Sequence, residues 1–93
     1  MTRVVHVKKE PYDVYIGRPS IWGNPFMIGR DGDRKEVVKK YETYARKDPI
    51  IQKNLISLKG KILACWCKPL PCHGDVLVKL IREREANVLR FSR

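Results

Sequence analysis

The sequence predicts a small single α/β domain spanning residues 1–93, about three strands with two or three helices, in the order β-β-α-α-β-α. Three features carry this reading. Runs rich in β-branched residues lie near the start, Val4 to Val7 and Tyr12 to Ile16, and such residues suit a pleated surface. Helix-opening signals follow at Asp33 with Glu36 and at Asp48-Pro49. An apolar run from Ile62 to Trp66 then passes through a proline-rich turn into Val76, Leu77, Leu80 and Ile81, whose spacing is that of an amphipathic helix.

Taken in order, the first strand covers Val4 to Val7 and is ended by Lys8, Lys9, Glu10 and Pro11. The second alternates Tyr12, Val14 and Ile16 against Asp13 and Tyr15, the period of a half-exposed strand. Residues 17 to 26, GRPSIWGNPF, hold two glycines and two prolines beside Trp22 and Phe26. A flexible linker is poor in bulk. Two large rings in ten positions therefore predict an ordered loop pinned to the core or around a pocket. Asp33 and Glu36 form a capping-box pattern for a helix over 33–47, with Val37, Val38, Tyr41 and Tyr44 at helical spacing. Asp48 caps a second, shorter helix with Pro49 at its first position, Ile51, Leu55 and Leu58 on one face, and Gly60 at its end. Ile62 to Trp66 reads as the buried central strand. The last helix opens near Cys72 to Asp75. Residues 87–93, with Val88, Leu89 and Phe91 among basic residues, are expected as a short strand or a packed tail.

Composition narrows the function classes. The chain is 43% hydrophobic and 32% charged, which is globular rather than disordered. No apolar stretch approaches the roughly 20 residues of a membrane span, and no signal peptide is evident at the start, so a cytoplasmic protein is expected. Three cysteines, two of them separated by one residue, make a poor disulfide framework, and reduced thiols or metal ligands are expected instead. The formal net charge of +10 draws anions: nucleotides, nucleic acid or acidic protein.

Two motifs, GRPSIWGNPF and LACWCKPLPCHGDVL, stand in this order. The pair resembles an uncharacterised family, a domain of unknown function recurrent in bacteriophage genomes and in some bacteria. Its hallmarks match Trp22 to Phe26, Cys65 to Cys67 and Cys72 to Gly74 here. The resemblance implies a small phage-type α/β protein and brings no activity with it.

Three chemistries fit the second motif. Cys65, Cys67, Cys72 and His73 are a Cys3His set suited to zinc, although the spacing lacks the usual knuckle and adjacent Cys72 and His73 do not easily reach one ion; plain burial of the thiols is the alternative. Cys72 at a helix start, with His73 or Lys68 favouring its thiolate and Asp75 orienting the imidazole, is a candidate nucleophile. Backbone N–H groups around the small Gly74, with Lys68, form a candidate anion cradle. Arg18, Ser20 and Asn24 would add donors from the first loop, and Trp22 or Trp66 would stack a base. For each there is a plainer role: Asp75 as a helix cap, Trp22 and Phe26 as core. Alternation along the strand places Trp66 on the sheet face opposite the cysteines, with a packed helix expected beside it.

The leading expectation is binding of a phosphorylated, nucleotide-like ligand where the two loops converge, to sequester or process it. Its residues are Arg18, Ser20, Trp22, Asn24, Lys68, Cys72, His73, Gly74 and Asp75. The rival is a basic interaction module contacting nucleic acid or a host protein through Lys35, Lys39, Lys40, Arg46 and Lys47, with or without zinc.

Overall fold

The computed structural model describes residues 2–91. Its elements are β1 (Arg3–His6), β2 (Val14–Tyr15), α1 (Arg34–Lys47), α2 (Pro49–Asn54), a 3₁₀ turn (Leu55–Leu58), β3 (Ile62–Cys65) and α3 (His73–Phe91). The order is the expected β-β-α-α-β-α. No helix among the described residues is long and apolar enough to cross a membrane.

The three strands form one sheet in the order β1-β3-β2. Both outer strands run parallel to β3, with Val4 and Val14 each opposite Leu63. β2 is shorter than the alternation of Tyr12 to Ile16 predicts. Asp13 uses its side chain as well as its backbone there, its carboxylate accepting from the Ile62 N–H at 2.8 Å, and this fixes the strand's entry. Backbone bonds from Asp13 to Ile62 and from Ile16 to Ala64 continue the ladder at either end.

Leu63 and Cys65 face a core built with Tyr41, Ala45, Ile51, Leu55, Leu58, Leu77 and Ile81. α1 begins as expected. Asp33 accepts from Glu36 N–H while the Glu36 carboxylate accepts from Asp33 N–H, a reciprocal capping box. Asp48 caps α2 by accepting from Ile50 and Ile51, and the helix tightens into the 3₁₀ turn so that Ile51, Leu55 and Leu58 are all buried.

Two expectations are corrected. Residues 87–91 are neither strand nor separate tail: they continue α3, because Glu83 to Ala86 extend the helical turn without a proline or glycine to stop it. Residues 92 and 93 lie outside the described residues. Trp66 is 55% exposed rather than covered by a packed helix. Its ring meets the edge of His6 at 6.0 Å, and Lys8 lies 5.3 Å above it. Both come from the end of β1 and the connection leading to β2.

The first loop is fastened to α1 by one buried bond. The Tyr41 hydroxyl, fully buried, donates to the Trp22 carbonyl at 2.7 Å. Tyr41→Phe leaves that carbonyl unpaired and is expected to cost about 1 to 3 kcal/mol, read as a lowered urea midpoint at unchanged slope.

Candidate functional site

The two motif loops meet at the carboxyl ends of β2 and β3, where open α/β sheets place ligands. Between them lies a cleft of about 430 Å³, within the range of small-molecule sites. Its floor is Cys65, Cys67, Cys72 and His73; Arg18, Asn24 and Phe26 come from the first loop, Tyr15 and Trp66 from the strand ends, and Arg34 from α1.

The first loop is built from its own turn chemistry. Ser20 Oγ donates to the Gly17 carbonyl at 2.7 Å and accepts from Trp22 N–H at 3.2 Å. Asn24 Nδ2 donates to the Val37 carbonyl at 3.2 Å, and its Oδ1 accepts from Phe26 N–H at 2.9 Å. These side chains are spent on holding the loop to itself and to α1. Trp22 is buried in the core and does not line the cleft, so it offers no stacking face there. The plainer role is the one it has.

Tyr15 joins the loops. Its hydroxyl donates to the Arg18 carbonyl at 3.0 Å and accepts from Trp66 Nε1–H at 2.9 Å. The ring lies where a side chain on Gly17 would have to go, which is why that position tolerates only glycine without movement of the phenol. Trp66 is thereby held in place while still exposed, whereas Trp22 is buried.

In the second motif the expected residues gather at the start of α3 but take other partners. Gly74 does not clear space for an anion. A Cβ there would lie 2.8 Å from Ile16 Cδ1 and 2.9 Å from both Val4 methyls, so the missing side chain lets the helix sit directly on the sheet. Asp75 does not orient His73; its carboxylate accepts from Cys72 N–H at 3.1 Å and pairs with Lys68 Nζ, capping the helix start. Lys68 is held charged: burial works against the ammonium, and Asp75 together with the two cysteine sulfurs outweighs it.

His73 is buried, with Nε2 2.7 Å from the Ile16 carbonyl and its ring edge-on to Tyr41 at 5.1 Å. A carbonyl only accepts, so Nε2 carries the proton and donates. Burial lowers its pKa from the ordinary 6.5, against the support of that bond.

Cys65 and Cys72 are buried with their sulfurs 3.1 Å apart. The hydrogen bond with Cys72 pulls the Cys65 thiol down in pKa against burial, with further help from the N–H groups of Cys67 and Lys68. Cys72 is pushed up by Cys65 and by burial. The four expected zinc ligands do not converge: His73 turns to Ile16, and among the described residues no group of three or more His, Cys, Asp or Glu could hold a metal ion.

Sequence reasoning missed Arg34 and Tyr15. Arg34 reaches across from α1 towards the Pro71 carbonyl at 3.4 Å, a juxtaposition of residues 37 apart that no local pattern announces. Elsewhere on α1 two of the expected basic residues have partners. Arg46 pairs with Glu42 and Glu83, and Lys40 donates to the Asp31 carbonyl.

The buried imidazole yields a pH dependence. Because the folded pKa lies below the unfolded one, the unfolded chain takes up its proton first as pH falls. The contribution of His73 is intact above about pH 6.5 and is lost as pH drops from there towards the folded pKa. Urea unfolding at about pH 7.5 and 5.5 is expected to show the wild type losing stability over this interval, and His73→Asn losing less.

A family model described as a domain of unknown function, DUF4326, matches residues 2–83, a span holding both motif loops and every residue of the cleft. The chain is also 34% identical over 86 residues to a protein of Enterobacteria phage T4 described as "Uncharacterized 12.4 kDa protein in nrdA-td intergenic region"; the match covers 87% of this chain and 78% of that protein. No solved structure matches. With most of its length inside the family model and a phage relative at this identity, the chain belongs to the phage-associated DUF4326 family.

Proposed function

We propose that the cleft binds a phosphorylated, nucleotide-like ligand, sequestering or processing it in the cytoplasm of an infected cell. The observation that carries this is the pairing of charge and aromatic surface in one opening. Arg18 and Arg34 are the charged groups of the lining, which contains no carboxylate among the described residues, and Trp66 stands at the same opening held by Tyr15. Guanidinium groups match phosphate oxygens in planar, two-point hydrogen bonds, and a fixed, exposed indole offers a base a stacking face. Phe26, Met27 and Ile28 add an apolar wall.

The residue assignment shifts with the geometry. Arg18 keeps its expected part. Arg34 takes over charge neutralisation from Lys68, which is committed to Asp75, and Trp66 replaces Trp22. Ser20, Gly74 and Asp75 shape the site without lining the cleft, and Asn24 lines it with its polar atoms already bonded to Val37 and Phe26.

Isothermal titration with a series of nucleoside mono-, di- and triphosphates tests this reading. Arg18→Ala and Arg34→Ala are each expected to weaken binding about tenfold, some 1.4 kcal/mol, and Trp66→Ala by about 1 to 3 kcal/mol, with the circular dichroism of the fold retained. Absence of binding to the wild-type chain at about 1 mM, where a weak site of this kind still registers, would overturn it, as would affinities unmoved by the two arginine changes.

A further inference from the structure

The two buried cysteines on the floor of the cleft have no part in holding a phosphorylated ligand, and their arrangement exceeds what packing requires. Cys65 ends β3 and Cys72 immediately precedes α3; a six-residue turn separates them in the chain, yet the sulfurs meet at 3.1 Å. Two small apolar side chains filling a core have no need to face each other sulfur to sulfur. We propose that Cys65 and Cys72 are a thiol–disulfide exchange site, reacting with small disulfides and thiols that enter the cleft.

Their surroundings divide the labour. Cys65 shares a hydrogen bond with the Cys72 sulfur and receives the N–H groups of Cys67 and Lys68, backbone donors that stabilise a thiolate, the attacking form. Cys72, at the amino end of a 19-residue helix, stays protonated beside Cys65, with the Gly74 N–H as a backbone donor near its sulfur, so it acts as the resolving thiol once Cys65 is bound in a mixed disulfide. Lys68, close by and held charged, also favours the thiolate. His73 is engaged with Ile16 and supplies neither sulfur with a metal-ligating partner.

The chemistry balances in two displacements. The Cys65 thiolate attacks one sulfur of a small disulfide R–S–S–R, forming a mixed disulfide and releasing R–S⁻. Cys72 gives up its proton to solvent, attacks the Cys65 sulfur and releases the second R–S⁻. The protein's two thiols become one disulfide, and the small disulfide becomes two thiols. A thiol reductant reverses both steps. Cys67, partly exposed on the same cleft, takes no part. This inference stands apart from the nucleotide reading, since it needs neither arginine.

The test treats the full-length chain with hydroxyethyl disulfide, quenches with iodoacetamide and maps the label. Trypsin releases residues 62–79 as one peptide, because Lys68 precedes a proline, and that peptide holds all three cysteines. The expected product is lighter by two hydrogens and carries a single label, placed on Cys67 by fragmentation; dithiothreitol restores three labels. Cys67→Ser is expected to close as readily. Cys72→Ser is expected to stop at the mixed disulfide on Cys65. Three labels after oxidation, or a bond that includes Cys67, overturns the proposal. The wild-type map decides the matter even where a cysteine variant folds poorly.

Discussion

The first turn of α3 rests directly on the sheet, and most of the site follows from that contact. Gly74 leaves room for nothing between the helix backbone and the side chains of Val4 and Ile16. Protein interiors are packed densely enough that one added carbon must displace its neighbours. At this separation His73 reaches the Ile16 carbonyl and Cys72 reaches Cys65. A helix seated farther out would lengthen both contacts together. One missing methyl group thus sets the position of a buried imidazole, a pair of thiols and the floor of the cleft.

The first loop separates holding from presenting. Ser20, Trp22 and Asn24 use polar groups on bonds within the loop or to α1, whereas Arg18, exposed in the same ten residues, leaves its charge to solvent. Each such bond is modest, of order 1 kcal/mol. Together they remove the conformational freedom that a ligand would otherwise have to freeze on binding. Tyr15 extends this restraint to the second motif by bonding both loops through one hydroxyl.

What was legible in the sequence was mostly local. The capping box at Asp33, the Asp48-Pro49 start and the apolar spacing of Val76 to Ile81 each depend on neighbours within four or five residues, and each appears where expected. The convergence of the two loops was legible too, because glycine, proline and large rings crowded together imply an ordered segment. The partners of polar side chains were not. A glycine in the first turn of a helix signals close approach without saying what approaches, and at Gly74 it is the sheet. Trp22 and Trp66 look alike in the sequence; only the tertiary arrangement buries one and exposes the other. Arg34 was hidden among other basic residues for the same reason.

The strand order carries a consequence for how the chain reaches this state. β1 and β2 follow each other in sequence but never pair; each waits for β3, which lies between them. The pairs Arg3 with Ile62 and Val14 with Leu63 span about half the chain or more. A polypeptide emerging from the ribosome would thus carry two strands with open edges until its sixties were made, and pairing over such separations is slow to nucleate. Lys8 and Lys9 between the two strands place like charge where premature association of chains would start.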